Sequence, residues 1–156
     1  MALKILLLLT LLAYSIIVSQ SFMYLLALKN TQINLPVNSY IEIRKLIDIN
    51  MRKKFTYVVY GALLSNLLLV IFTAKNPGSL LFIAATLAFT GLVADTALTL
   101  KGNMPINNAI NTWSADSYPD NWADYRTKWL VIFQYRQMAN IIGFVILLIG
   151  VVFGSK

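Results

Sequence analysis

Two charged residues lie inside stretches that are otherwise apolar: Asp95, between Ser79 and Leu100, and Arg136, between Lys128 and Phe153. A lone charge at the centre of a membrane helix costs about 3 kcal/mol on insertion scales, so such residues face one another or a polar cavity rather than lipid. An arginine can hold a carboxylate through two parallel N–H donors. The chemistry open to such a pair is limited. The Arg136 guanidinium could bind or polarise an oxygen function, and Asp95 could take a proton if burial raises its pKa towards neutrality. The alternative is that each side chain snorkels separately to the interface, which suits Arg136 but exceeds the reach of Asp95.

Other polar groups fall at comparable depth. Gln20, Asn66, Gln134 and Asn140 come from the first, second and fourth apolar stretches. Gly91, Asp95 and Thr99 form one stripe at four-residue spacing, and Gly91 would let a neighbouring helix approach closely. Taken singly, each amide reads as an ordinary interhelical hydrogen bond. All four stretches contributing at one level is the stronger signal. The segment Asn103-Met104-Pro105-Ile106-Asn107 follows the third stretch. Asn103 is expected to cap a new helix with Pro105 in its first turn. Asn107, Ile110 and Asn111 then share a face, with Trp113 following. Trp129 stands seven residues before Arg136, two turns up one helix face, and could cover the buried cation. Trp122 reads as part of an aromatic belt at the membrane surface. The candidate residues are therefore Asp95 and Arg136 for catalysis, and Asn103, Asn107, Trp113, Trp129, Gln20, Asn66 and Gln134 for binding.

The elements that must position these residues are helices. Apolar stretches over about 3–28, 55–74, 79–100 and 128–153 each reach the ~20 residues needed to cross the hydrocarbon core. The first resembles a signal peptide in its Leu-rich start after Lys4. Its apolar run continues through Phe22, Met23 and Tyr24 to Leu28, too long for a usual signal core of ~7–15 residues, so retention as a membrane helix is expected. Over 39–53, Tyr40, Ile43, Ile47 and Met51 recur at three- and four-residue spacing among Glu42, Arg44, Lys45, Asp48 and Arg52. That pattern predicts a short amphipathic helix lying on the membrane surface. Asn34-Leu35-Pro36 stops the helix before it, and Lys75-Asn76-Pro77-Gly78 makes a short turn. The fold class predicted is all-α, a single integral membrane four-helix bundle with that surface helix between spans 1 and 2.

Composition agrees. The chain has 156 residues, 58% hydrophobic and only 12% charged, about half the usual globular share of charge. Its net charge of +7 sits beside apolar segments, which argues for topology and lipid headgroups rather than nucleic acid. The absence of cysteine and histidine excludes disulfides, thiolate zinc sites, thiol nucleophiles and a histidine base. No metal or cofactor site is expected. An even number of spans puts both termini on one side, with Lys4, Lys75 and Lys156. The other side carries Lys29, Arg44, Lys45, Arg52, Lys53, Lys54, Lys101, Arg126 and Lys128. The positive-inside rule places both long connections in the cytoplasm and both termini outside.

Asn-x-Pro-Ile-Asn at 103–107, followed by Trp129 and Arg136 seven apart at the start of a fourth span, resembles the anthrone oxygenase-like family of small four-helix membrane proteins. The hydropathy layout fits along the whole chain, including the basic first connection. The resemblance implies a membrane four-helix fold and, for members named by activity, oxygenation of anthrones to anthraquinones without metal or flavin. Most relatives are uncharacterised, so it implies the fold far more than the substrate. One departure matters: relatives often place His or Asn in the turn before the arginine, where this chain has Phe133-Gln134-Tyr135. Glutamine cannot serve as a proton-transfer base.

Three functions compete. One is a membrane enzyme on a hydrophobic, aromatic small molecule. Another is a non-catalytic subunit whose polar layer fixes helix register and whose aromatic loop binds a partner. The last is a small transporter, which four helices could support only by oligomerising. The partners expected are membrane lipid, a hydrophobic small molecule, and a second copy or another membrane subunit.

Overall fold

The computed structural model describes residues 1–154; Lys156, one of the three bases expected on the side of the termini, lies outside them. Among the described residues the chain is helical, with no strand beyond an isolated bridge between Ser114 and Ser117. Its elements are α1 (Ala2–Met23), α2 (Lys29–Asn34), α3 (Val37–Thr73), α4 (Leu80–Leu98), α5 (Met104–Asn111) and α6 (Trp122–Gly154). One π-helical turn, Tyr24–Leu28, joins α1 to α2, and another, Thr99–Asn103, joins α4 to α5. The result is four long rods, Ala2–Asn34, Val37–Thr73, Leu80–Asn111 and Trp122–Gly154, each long and apolar enough to cross a membrane. Large apolar side chains such as Leu8, Leu12, Leu64, Ile71, Leu87 and Ile149 point outward. This is the make-up of a multi-pass membrane protein.

The breaks follow from local chemistry. Pro36 holds Leu35 extended (φ −66°, ψ 136°), which ends α2 and lets α3 start at Val37. Asn76-Pro77-Gly78 separates α3 from α4, and the Ser79 hydroxyl caps α4 by accepting from the Phe82 N–H at 3.2 Å. Between Met51 and Phe55 nothing breaks a helix: Arg52, Lys53 and Lys54 are good helix formers. The segment 39–53 is therefore not a separate surface helix, as its periodicity suggested, but the first part of the 37-residue α3. At ~1.5 Å per residue α3 is roughly 55 Å long, well beyond a ~30 Å hydrocarbon core.

Asn103 likewise caps no new helix. It closes the π turn with helical backbone and makes no side-chain cap bond. A proline inside a helix clashes with the carbonyl four residues back, and the widened turn immediately before Pro105 gives it room.

α1 packs on α3 and α6, and α4 packs on α3 and α6. The two ends of this arrangement differ. Towards the termini the packing is apolar and close, built on small residues along α4 and α6. A methyl group on Gly91 would sit 3.2 Å from the Ala139 carbonyl oxygen, and one on Gly150 would collide with Ala84. Gly143 leaves room for the Tyr14 hydroxyl, which donates to the Ala88 carbonyl at 3.5 Å. Towards the Leu35–Pro36 break and the 112–121 loop, the rods extend into an aromatic and charged end. Its core is Tyr24, Tyr40, Ile41, Ile106, Ile110, Trp113, Trp129, Leu130 and Phe133. The Arg126 Nη1 donates to the Leu35 carbonyl at 3.1 Å and so ties the start of α6 to the Leu35–Pro36 break.

Candidate functional site

α4 carries Asp95 inward one turn before its π-helical extension, and α6 carries Arg136 opposite. Arg136 Nε donates to Asp95 Oδ1 at 2.7 Å, with Asp95 2% exposed. Arg136 Nη1 donates to Asn103 Oδ1 at 3.1 Å, and Asn103 Nδ2 donates to the Trp129 carbonyl at 3.0 Å. The π turn thus delivers the Asn103 amide to α6, where it bonds both the cation and the backbone. Arg136 binds both Asp95 and Asn103 and so joins α6 to α4 and to its π-helical extension.

From Trp129 the network continues outward. Its indole N–H donates to Asn107 Oδ1 at 2.8 Å. The same oxygen accepts from Arg44 Nη2 at 2.8 Å. Asn107 Nδ2 donates to Asp48 Oδ1 at 3.1 Å, and Asn111 Nδ2 to Asp48 Oδ2 at 2.8 Å. Arg52 pairs with Asp48 Oδ2 at 2.9 Å and donates to Asn108 Oδ1 at 2.8 Å. The Asn107 and Asn111 expected on one face of α5 do share it, and that face meets α3.

The aromatic cover differs from the one the seven-residue spacing suggested. The ring nearest Arg136 is Phe133, whose centroid is 5.1 Å from the guanidinium carbon. Trp129 instead carries Arg44, whose guanidinium carbon lies 3.7 Å from its ring centroid. Trp129 stacks on Phe133 at 4.4 Å, and Tyr24 meets Phe133 edge-on at 4.7 Å. A cation thus flanks each member of an aromatic pair.

Not every residue marked from sequence joins this cluster. Trp113 is buried at its edge, edge-on to Tyr125, and its carbonyl accepts from Lys45 Nζ. Gln134 points elsewhere and accepts from Lys29 Nζ at 2.9 Å. Gln20 reaches only Met51 Sδ at 3.9 Å. Asn66 is fully buried on α3, and neither of its amide atoms has a partner. Trp122 packs against Tyr40 and Arg126. Surface hollows of about 280 and 270 Å³ are lined by Leu63, Val93 and Leu100 and by Ile106, Tyr125 and Lys128; neither reaches Asp95, Arg136 or Arg44.

Arg44, Asp48, Tyr40 and Tyr24 are the residues that sequence reasoning did not place in the site. Arg44 is 4% exposed. Among the described residues the ion pairs are Arg52–Asp48 and Arg136–Asp95, so Arg44 has no carboxylate within 4 Å. Asp48 acts on it only from longer range and is already shared by Arg52, Asn107 and Asn111. Arg44 Nε and the hydroxyls of Tyr24 and Tyr40 are buried without a partner. Burying a cation costs several kcal/mol. A desolvated cation–π contact returns about 2 kcal/mol, and a hydrogen bond to a neutral amide adds about 1.5 kcal/mol or more. Arg44 is therefore under-compensated where Arg136 is not.

The fold and site together define a multi-pass membrane protein with a buried ionic network at one end. No family model, curated protein or solved structure matches the chain.

Proposed function

We propose that the protein is a four-helix membrane bundle that holds a hydrophobic aromatic molecule at its charged end and acts on it as an oxygenase-like enzyme. The observation that carries this is the pairing of the Trp129–Phe133 stack with two guanidiniums, Arg44 and Arg136, linked through Asn103 and Asn107. These rings are packed against one another, so a flat molecule carrying an oxygen would enter by displacing a neighbour such as Arg44 from Trp129, and the Arg44 Nε–H, unpartnered among the described residues, would be its donor. The oxygenation implied by the resemblance balances with dioxygen alone. A ring CH2 becomes a carbonyl with one oxygen atom, and the other oxygen leaves as water with both hydrogens. In this reading Asp95 serves as the counter-ion that fixes Arg136, and Arg44 and Asn107 meet the substrate oxygen. The excess of bases at this end supports placing it in the cytoplasm, with the termini outside.

A second reading is a non-catalytic membrane subunit. It is favoured by two observations: Arg136 is matched by both Asp95 and Asn103, and neither surface hollow reaches Asp95, Arg136 or Arg44. The test is anthrone oxidation under 18O2 in phosphatidylcholine nanodiscs. The enzyme reading expects a quinone carrying one label above the spontaneous rate, with most of the excess lost in Asn107→Ala. Product at the spontaneous rate only would leave the subunit reading.

A further inference from the structure

Arg44 and Tyr24 flank the Trp129–Phe133 pair and Tyr40 belongs to the same packed cluster; Arg44 Nε and the two tyrosine hydroxyls have no hydrogen-bond partner among the described residues. Tyr40 and Arg44 are four residues apart on α3, hence neighbours on one helix face. Arg44 lies over Trp129, Trp129 stacks on Phe133, and Tyr24 sits edge-on to Phe133. Tyr24 and Tyr40 belong to one packed cluster and are fully buried. Arg126 adds a second cation near Tyr40, 5.9 Å from its ring, and among the described residues it too has no carboxylate within 4 Å. Orphaned donors beside unneutralised cations call for an acceptor that is negatively charged. Leu25 and Leu26, directly after Tyr24, face outward where lipid would lie.

We propose that Arg44, Tyr40 and Tyr24 form a binding site for the oxyanion of an amphiphile, a compact anionic group carried on a hydrophobic body. The inference rests on the binding role proposed for this end and names the charge of what is bound. The anion completes the coordination of Arg44, and the hydrophobic body extends past Leu25 and Leu26 into the bilayer. The source is either a diffusing acid or the headgroup of an anionic lipid.

The test uses the full chain in phosphatidylcholine nanodiscs and reads the melting temperature and the binding constant. The probes are laurate, methyl laurate, and phosphatidate mixed into the bilayer. Stabilisation by laurate or by phosphatidate, but not by methyl laurate, is expected. Laurate alone identifies a diffusing acid as the source, and phosphatidate alone a lipid headgroup. Arg44→Gln should weaken the effective anion roughly tenfold or more. Tyr24→Phe and Tyr40→Phe each remove a hydroxyl that has no partner. They should leave the unliganded protein as stable or more stable while weakening the anion roughly threefold or more. A purely structural hydroxyl would lower both readings together.

Equal binding of methyl laurate would overturn the anionic inference and leave the binding role standing. Equal binding of the anion by wild type and Arg44→Gln would also overturn it. No stabilisation by any probe, with anthrone oxidation intact, would overturn it alone; failure of both experiments would remove the binding role as well.

Discussion

Arg136 and Arg44 are both buried arginines on the inner faces of long helices, each beside one ring of the Trp129–Phe133 pair. Their surroundings differ. Arg136 has a carboxylate at 2.7 Å and an amide oxygen at 3.1 Å, both from the α4–α5 rod. Arg44 has one amide oxygen, one indole face and an unpartnered Nε. A charge matched by its own chain holds helices together. A charge left unmatched is available to something that is not in the chain. On the proposed reading the contrast divides the two: the Asp95–Arg136–Asn103 inner site holds the helices and the outer site at Arg44 binds, with Trp129 and Asn103 bridging them.

The largest way to break this comparison is to unpair the inner site. Asp95→Ala leaves Arg136 buried without its counter-ion and should cost about 3–5 kcal/mol, a fall in melting temperature of roughly 10 °C for a chain of this size. The double variant Asp95→Leu/Arg136→Met should recover most of that loss, since apolar replacement of a buried pair is often neutral or better. If the double variant melts as low as the single one, the pair is not acting as a matched pair.

The apolar end supplies the next effect. Gly143→Ala places a methyl group against the Tyr14 hydroxyl and Ala88. Overpacking of this kind costs about 1–3 kcal/mol, and Tyr14→Phe in the same chain should restore part of it. Thermal melting reads both, and absence of rescue would separate the two positions. Between the sites, Trp129→Phe keeps a ring beside Arg44 but removes the indole donor to Asn107. A loss of about 1 kcal/mol is expected by melting, together with weaker anion binding. The smallest effect should be Lys29→Ala, which breaks the contact with Gln134. Melting should change by about 0.5 kcal/mol or less, and binding not at all. A loss of binding there would return Gln134 to the site.

Helix counting from the sequence was enough to bring Asp95 and Arg136 to one level, because a span of known rise fixes depth. Asn103 and Asn107 were legible as site residues from the Asn-Pro-Asn segment, although the π turn that aims Asn103 at α6 leaves no mark beyond Pro105. Arg44 was not legible. The spacing of Tyr40, Ile43, Ile47 and Met51 marks a face fit for a membrane surface, and Arg44 falls on its polar side. In the fold that segment stands on the end of α3 among other helices, so Tyr40, Ile41 and Arg44 turn inward while Ile43, Leu46 and Ile49 face out. The rotation comes from tertiary packing, which a single amphipathic period cannot register. A signal did exist: the absence of any breaker between 51 and 55 means the helix must continue. Gln20 and Gln134 lie at the right depth but on the wrong azimuth, and depth alone does not fix azimuth.

The most direct test of the division between holding and binding is the melting temperature of Arg136→Gln and Arg44→Gln, measured side by side in phosphatidylcholine nanodiscs without added ligand. Arg136→Gln strands Asp95 and should melt roughly 10 °C lower. Arg44→Gln removes an under-compensated charge and should melt within about 3 °C of wild type, a change of about 1 kcal/mol. Equal losses, or the larger loss in Arg44→Gln, would contradict the account.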